Sequence, residues 1–172
     1  TKLSSMDALI APDEAVRYAY KLGHRAVAIT DHGVMYGVID FYKYAKEKGI
    51  KPIIGCEVYV STRSRFEKQK GLDGYRHLVL LCKNRTGYEN LCMLVSQAFI
   101  NGFYGKPRVD LDLLRKYHEG LIATSACLAG AVSHSLMDED YDAALRHATT
   151  LADIFGPDNF YLELQDHGIP EQ

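Results

Sequence analysis

Residues 25–37 read RAVAITDHGVMYG: a short apolar run that ends in an acid, a histidine and a glycine. The run at 26–30 is too short for a helix and reads as a buried strand. VIDFYKYAKEK at 38–48 has helical spacing and stops at Gly49. Upstream, Pro12 with Asp13 and Glu14 opens a helix that runs to about Leu22 and ends at Gly23. Proline suits a first helical turn, and acids there complement the helix dipole. One strand thus lies between two helices, and Asp31 and His32 sit where the strand hands over to the next helix.

The same alternation continues downstream. KPIIGCEVYV (51–60) and HLVLLC (77–82) read as strands, separated by a polar, glycine-flanked loop at 61–74. Asn84, and Thr86 with Glu89 in capping-box spacing, open a helix to about Ile100. A loop at 102–110 and a short helix at 111–117 lead to a strand at 120–126. One or two helices fill 129–155, and NFYLELQ (159–165) is the last strand. With no clear hairpin signal, this order predicts α/β architecture with a mainly parallel sheet, either open and doubly wound or a barrel. In both, a site forms at the carboxyl ends of the strands.

A chain of 172 residues suits a single domain. Its net charge of -2 argues against a strongly basic nucleic-acid surface, although a local patch stays open. No apolar run approaches the roughly 20 residues of a membrane span, so no membrane partner is expected. The opening TKLSSMDALI has neither an initiator Met nor a signal-peptide layout, which suggests a piece of a longer cytoplasmic protein. Cys56, Cys82, Cys92 and Cys127 form no CxxC pair, so free thiols in a reducing compartment are expected.

Imidazole, carboxylate and thiol groups stand near the predicted strand ends: Asp7, Asp31, His32, Glu57, His77 and Cys127. Such a set suits zinc or a mixed transition-metal site, and a hydrolytic cluster needs it to hold cations. Each residue also has a plainer reading. Asp31 and His32 could be a helix cap beside a surface histidine. Glu57 is costly in an apolar strand unless paired, yet it faces outward if Cys56 and Val58 face inward. Cys127 could be packing. His77 stands at the amino end of its predicted strand, the wrong end for the site. Lys106 and Arg108, beside aromatics in GFYGKPRVD, could touch nucleic acid or line a solvated loop.

TKLSSMDA, AITDHGVMYG, KPIIGCEVYV, RHLVLL and TSACLAG, in this order, resemble the polymerase-and-histidinol-phosphatase (PHP) domain. NRTGYENL, GKPRVD and FYLELQDHGIPEQ make the resemblance closer to the N-terminal PHP domain of bacterial replicative polymerase III alpha subunits. The resemblance implies a distorted (β/α)7 barrel, of which residues 1–172 form a single-domain fragment lacking the first and last strands. It implies the metal ligands Asp7, His32, Glu57, His77 and Cys127, with Asp31 orienting the histidine from behind. A His-x-His is expected just before Thr1 and an Asp-x-His beyond Gln172. The implied cofactors are divalent metals, zinc or manganese, up to three in an intact domain and partial or none here. The implied activity is metal-dependent phosphoester hydrolysis of the 3′–5′ exonuclease type, with DNA, a proofreading exonuclease subunit and the sliding clamp as partners. The same resemblance leaves open a non-catalytic module that supports the polymerase and docks the exonuclease.

Overall fold

A computed structural model describes residues 1–4, 8–72 and 74–171. Its helices are α1 (Pro12–Lys21), α2 (Val38–Glu47), α3 (Arg85–Ile100), α4 (Leu111–Tyr117), α5 (Ala131–Met137) and α6 (Tyr141–Phe155). The strands are β1 (Ala26–Ile29), β2 (Lys51–Ser61), β3 (Tyr75–Cys82), β4 (Arg108–Val109), β5 (Leu121–Thr124) and β6 (Phe160–Tyr161). One six-stranded sheet has the order β1-β2-β3-β5-β6, with β4 also beside β2. None of the described helices is long and apolar enough to cross a membrane.

The sheet is mixed, which corrects the expectation of a mainly parallel one. β1 and β4 run parallel to β2, and β6 runs parallel to β5. β3 runs antiparallel to both β2 and β5. The β2–β3 pair is a ladder from Gly55↔Leu81 to Ser61↔Tyr75, closed by the loop 62–74. That connection lacks the two-residue Asn-Gly type of turn by which a hairpin is read from sequence. The reversal also answers the objection to His77. An antiparallel β3 brings its amino end to the carboxyl end of β2, where the site is expected.

Alternation along β2 divides its side chains between two faces. Cys56 and Val58 join Leu78, Leu80, Leu91, Leu94, Leu113, Leu114 and Phe155 in the larger apolar cluster. A second cluster of Val16, Ala19, Ile29, Val38, Phe41 and Ala45 packs α1 and α2 on β1. Met35, just beyond His32, touches both clusters and fastens the site loop to them.

Local chemistry explains the helix ends. Asn84 caps α3 by accepting from the Gly87 amide at 3.0 Å. Asp110 caps α4 through the Leu113 amide at 3.0 Å, and Asp140 caps α6 through Ala143 at 2.8 Å. The Thr86–Glu89 capping box is not formed, because Thr86 lies inside α3 and Glu89 accepts from Arg85 at 2.8 Å. The last predicted strand shrinks to Phe160–Tyr161, and β4 forms within what reads as a loop.

Candidate metal centre

The far face of β2 carries Glu57 and Tyr59, opposite the apolar cluster. Glu57 does face away from Cys56 and Val58, but toward two imidazoles rather than open water. His32 reaches this face from the turn after β1, where it bridges to Glu57 in a parallel pairing. Two backbone bonds hold that turn: Glu57 N donates to Asp31 O at 3.0 Å, and Gly33 N to Glu57 O at 2.8 Å. Gly33 has a φ of 67°, and a Cβ there would stand 2.9 Å from Pro107 Cγ and 3.0 Å from Tyr59 Cε2. Only glycine fits both the conformation and the space.

His77 enters from β3, paired with Tyr59 across the ladder. Its amide donates to Ala129 O at 3.0 Å, which ties it to the turn carrying Cys127. That turn begins at Ala126, a buried residue with a φ of 60°, in the left-handed region that L-residues disfavour. The bend brings Cys127 Sγ within 3.6 Å of His77 Nδ1. His32, Glu57, His77 and Cys127 therefore meet on one face.

The donor atoms stand at hydrogen-bond distances but without hydrogen-bond alignment. Glu57 Oε1 lies 2.7 Å from His32 Nδ1 and 2.7 Å from His77 Nδ1, yet it is buried without an aligned hydrogen bond. His77 Nδ1 faces both Glu57 Oε1 and Cys127 Sγ, while one ring nitrogen carries at most one proton. One candidate ligand atom from each of His32, Glu57 and His77 lies within 4.8 Å of the other two. A cation seated among these atoms would satisfy all three at once. The mixture of imidazole, carboxylate and thiolate matches borderline divalent metals.

Ionisation follows the same geometry. Burial raises the Glu57 carboxyl, but the close contacts and charge of His77 and His32 outweigh it and hold it below its usual value. The Cys127 contact, then Glu57, pushes His77 up to about 9. His77 in turn lowers the Cys127 thiol against the effect of burial. Cys56 behaves differently: burial pushes it up to about 12, as suits a packing thiol. Tyr59 closes one side, with its ring 6.4 Å from His32 and 5.3 Å from His77. Tyr75 stacks on His77 at 6.1 Å. Sequence reading passed over both tyrosines, although Tyr59 stands two residues from Glu57 and must share its face.

Asp31 is buried, and its carboxylate accepts from Thr1 Oγ1 at 2.8 Å and from Ser4 Oγ at 2.7 Å. Ser4 Oγ also accepts from the His32 amide at 3.0 Å, so the hydroxyl links Asp31 to the histidine backbone. Asp7 lies outside the described residues.

Arg108 requires a correction. It is fully buried and donates from Nε to Gly102 O at 3.2 Å and from Nη2 to Glu67 O at 2.7 Å. These bonds turn its guanidinium inward, where nucleic acid does not reach. Lys106, two residues earlier, is exposed and extends over the Tyr59 ring at 5.2 Å.

The PHP domain model matches residues 1–167. The chain belongs to the PHP domain family. It is 46% identical over 171 residues to DNA polymerase III subunit alpha of Treponema pallidum, covering 98% of this chain and 15% of that protein. It is 48% identical over 150 residues to the same subunit of Thermus aquaticus, covering 86% of this chain and 12% of that protein. This PHP domain therefore spans about one seventh of the length of those relatives. Among solved structures, an amidohydrolase from Chromobacterium violaceum aligns with a TM-score of 0.41 and 19% identity, over 91% of this chain and 49% of that one.

Proposed function

We propose that this PHP domain binds divalent metal and hydrolyses phosphoesters as part of a bacterial replicative polymerase III alpha subunit. The observation that carries the reading is the convergence of His32 Nδ1 and His77 Nδ1 on a buried Glu57 oxygen, with Cys127 Sγ 3.6 Å from His77 Nδ1. His32, Glu57, His77 and Cys127 would hold the cation, zinc or manganese, and Asp7 would complete the set. When bound, a divalent cation at such a site supplies Lewis acidity toward a phosphoryl oxygen and acidifies water. The protein's own contribution is placement. Glu57 and Cys127 supply negative charge, His32 and His77 present Nδ1, and Asp31 with Ser4 fixes the His32 backbone. Tyr59 and Tyr75 wall off solvent on one side.

In this reading the sheet is an arc of the family's distorted (β/α)7 barrel, and β1 and β6 are the edges to which further strands add. The substrate is DNA, worked from a 3′ end, and the setting is the cytoplasm. The relatives at 46% and 48% identity support the polymerase assignment, and the donor set supports the hydrolytic one. The test uses the full-length subunit: metal content and 3′–5′ nuclease activity, wild type against Glu57→Ala. Loss of a direct ligand is expected to lower metal affinity and activity at least about 100-fold, beyond the cost of losing a supporting group. Nuclease activity that survives Glu57→Ala, or wild-type protein without bound metal, would sink the proposal.

A further inference from the structure

The segment between α3 and β4 delivers Lys106 to the rim of the metal centre. Its ammonium lies 5.2 Å from the Tyr59 ring centroid, and that ring contacts both His32 and His77. A single aromatic ring thus separates the lysine from the two imidazoles.

The backbone beneath Lys106 is held on every side. Tyr104 N donates to Lys106 O at 3.1 Å, closing a tight turn around Gly105. Pro107 is buried against Gly33, so the residue after Lys106 packs on the residue after His32. Arg108 pairs with Tyr59 in the β2–β4 ladder and spends its buried guanidinium on the Gly102 and Glu67 carbonyls. Gly102 permits this closure, because a Cβ there would fall 1.9 Å from Arg108 O. The side chain contrasts with its anchorage. Lys106 is exposed and forms no ion pair among the described residues.

A fixed backbone with an exposed ammonium, which touches Tyr59 at its ring and hydroxyl and keeps further donors, suits a ligand more than a fold. The contacts of an exposed lysine with the Tyr59 ring and neutral hydroxyl are weak anchors, whereas a charge-assisted bond to phosphate oxygen is stronger. The centre also presents carboxylate and thiolate, which repel an approaching phosphate, and a cation on its rim offsets that repulsion. A compact ammonium on a flexible stem follows a phosphate oxygen without demanding one geometry. Such a contact reads backbone rather than base.

We propose that Lys106 is a substrate-binding residue that holds a non-bridging phosphate oxygen at the mouth of the His32–Glu57–His77 centre. The proposal rests on the phosphoesterase reading of that centre and names what anchors its substrate. The test uses the full-length subunit as wild type, Lys106→Ala, Lys106→Arg and Glu57→Ala. Bound metal is measured by mass spectrometry, and affinity for inorganic phosphate by titration calorimetry at low and high salt. Lys106→Ala is expected to retain its metal and weaken phosphate binding roughly threefold to tenfold at low salt, less at high salt. Lys106→Arg is expected to restore most of the affinity. Equal phosphate affinity in wild type and Lys106→Ala, with metal retained, overturns this role alone. Metal lost together with phosphate in Lys106→Ala also overturns it, by making the lysine structural. Wild-type protein without metal overturns the phosphoesterase reading and the role that depends on it.

Discussion

Two polar clusters flank the end of β2, and they are finished in opposite ways. Around Asp110, both carboxylate oxygens are used. Arg65 Nη1 donates to them at 2.8 and 2.9 Å, and the Arg65 and Leu113 amides each donate at 3.0 Å. Neighbouring Arg108 meets carbonyls, and the one loose atom, Arg65 Nε, belongs to a guanidinium stacked 4.2 Å over Phe66. Around Glu57, by contrast, two imidazole nitrogens stand 2.7 Å from one carboxylate oxygen without an aligned hydrogen bond, and the Cys127 thiol faces one of those imidazoles. A carboxylate whose oxygens are satisfied by protein holds a loop in place. One whose imidazole neighbours are close but misaligned can share a cation with them.

The comparison breaks first on stability. Asp110→Ala removes the α4 cap and leaves Arg65 without its carboxylate, so it should cost about 3–5 kcal/mol, the range for breaking a buried ion pair. The loss should be the same with and without metal, as read by urea denaturation. Glu57→Ala should cost the metal-free protein less than Asp110→Ala, because Cys127 still faces the His77 ring and His77 can release its proton. It should instead abolish the stabilisation that saturating metal confers, roughly 2.7 kcal/mol at a hundredfold excess over Kd. A metal-dependent cost for Asp110→Ala would erase the distinction between the clusters.

pH sharpens the contrast further. Without metal, His77 is raised from 6.5 to about 9. Its pairing therefore stabilises the fold fully below about pH 6.5 and is lost as pH rises through about 9. Metal needs the same nitrogen without its proton, so metal affinity should rise over the same interval and binding should release about one proton. The melting temperatures of metal-free and metal-loaded protein should diverge between pH 6.5 and 9. Divergence of the opposite sign would mean that His77 is not a ligand.

Much of this was legible from residues alone, and the gaps have physical causes. Helix ends were readable because Pro12, Asn84, Gly23 and Gly49 act locally. Glu57 stood out because a carboxylate in an apolar strand is expensive unless something pairs with it, whereas His77 and Cys127 came forward through the family resemblance. The reversal of β3 was not, because strand direction depends on long-range pairing across the loop 62–74. The fate of Arg108 was hidden for a similar reason. Its neighbours in sequence suggest an exposed basic loop, and only the pairing of β4 with β2 drives it inward. Lys106, two residues away, keeps its exposure because Gly105 and Pro107 turn the chain between them.

Ala126 gives the smallest expected effect and the finest probe of the difference between clusters. It holds a φ of 60° just before Cys127, a conformation that costs an L-residue roughly 1 kcal/mol. Ala126→Gly relieves that strain but adds unfolded-chain entropy of about 0.4–1 kcal/mol. The two nearly cancel, so metal-free stability should move by only about 0.5 kcal/mol in either direction. Metal affinity responds differently, because the left-handed bend is what holds Cys127 Sγ toward His77. A glycine there lets the thiol wander, and ordering it again falls on the binding step, so metal affinity should drop about threefold to tenfold. Calorimetric titration of zinc into both proteins reads the difference. Unchanged zinc affinity with unchanged stability would show that Cys127 takes no part in the centre and that the strained turn serves packing alone.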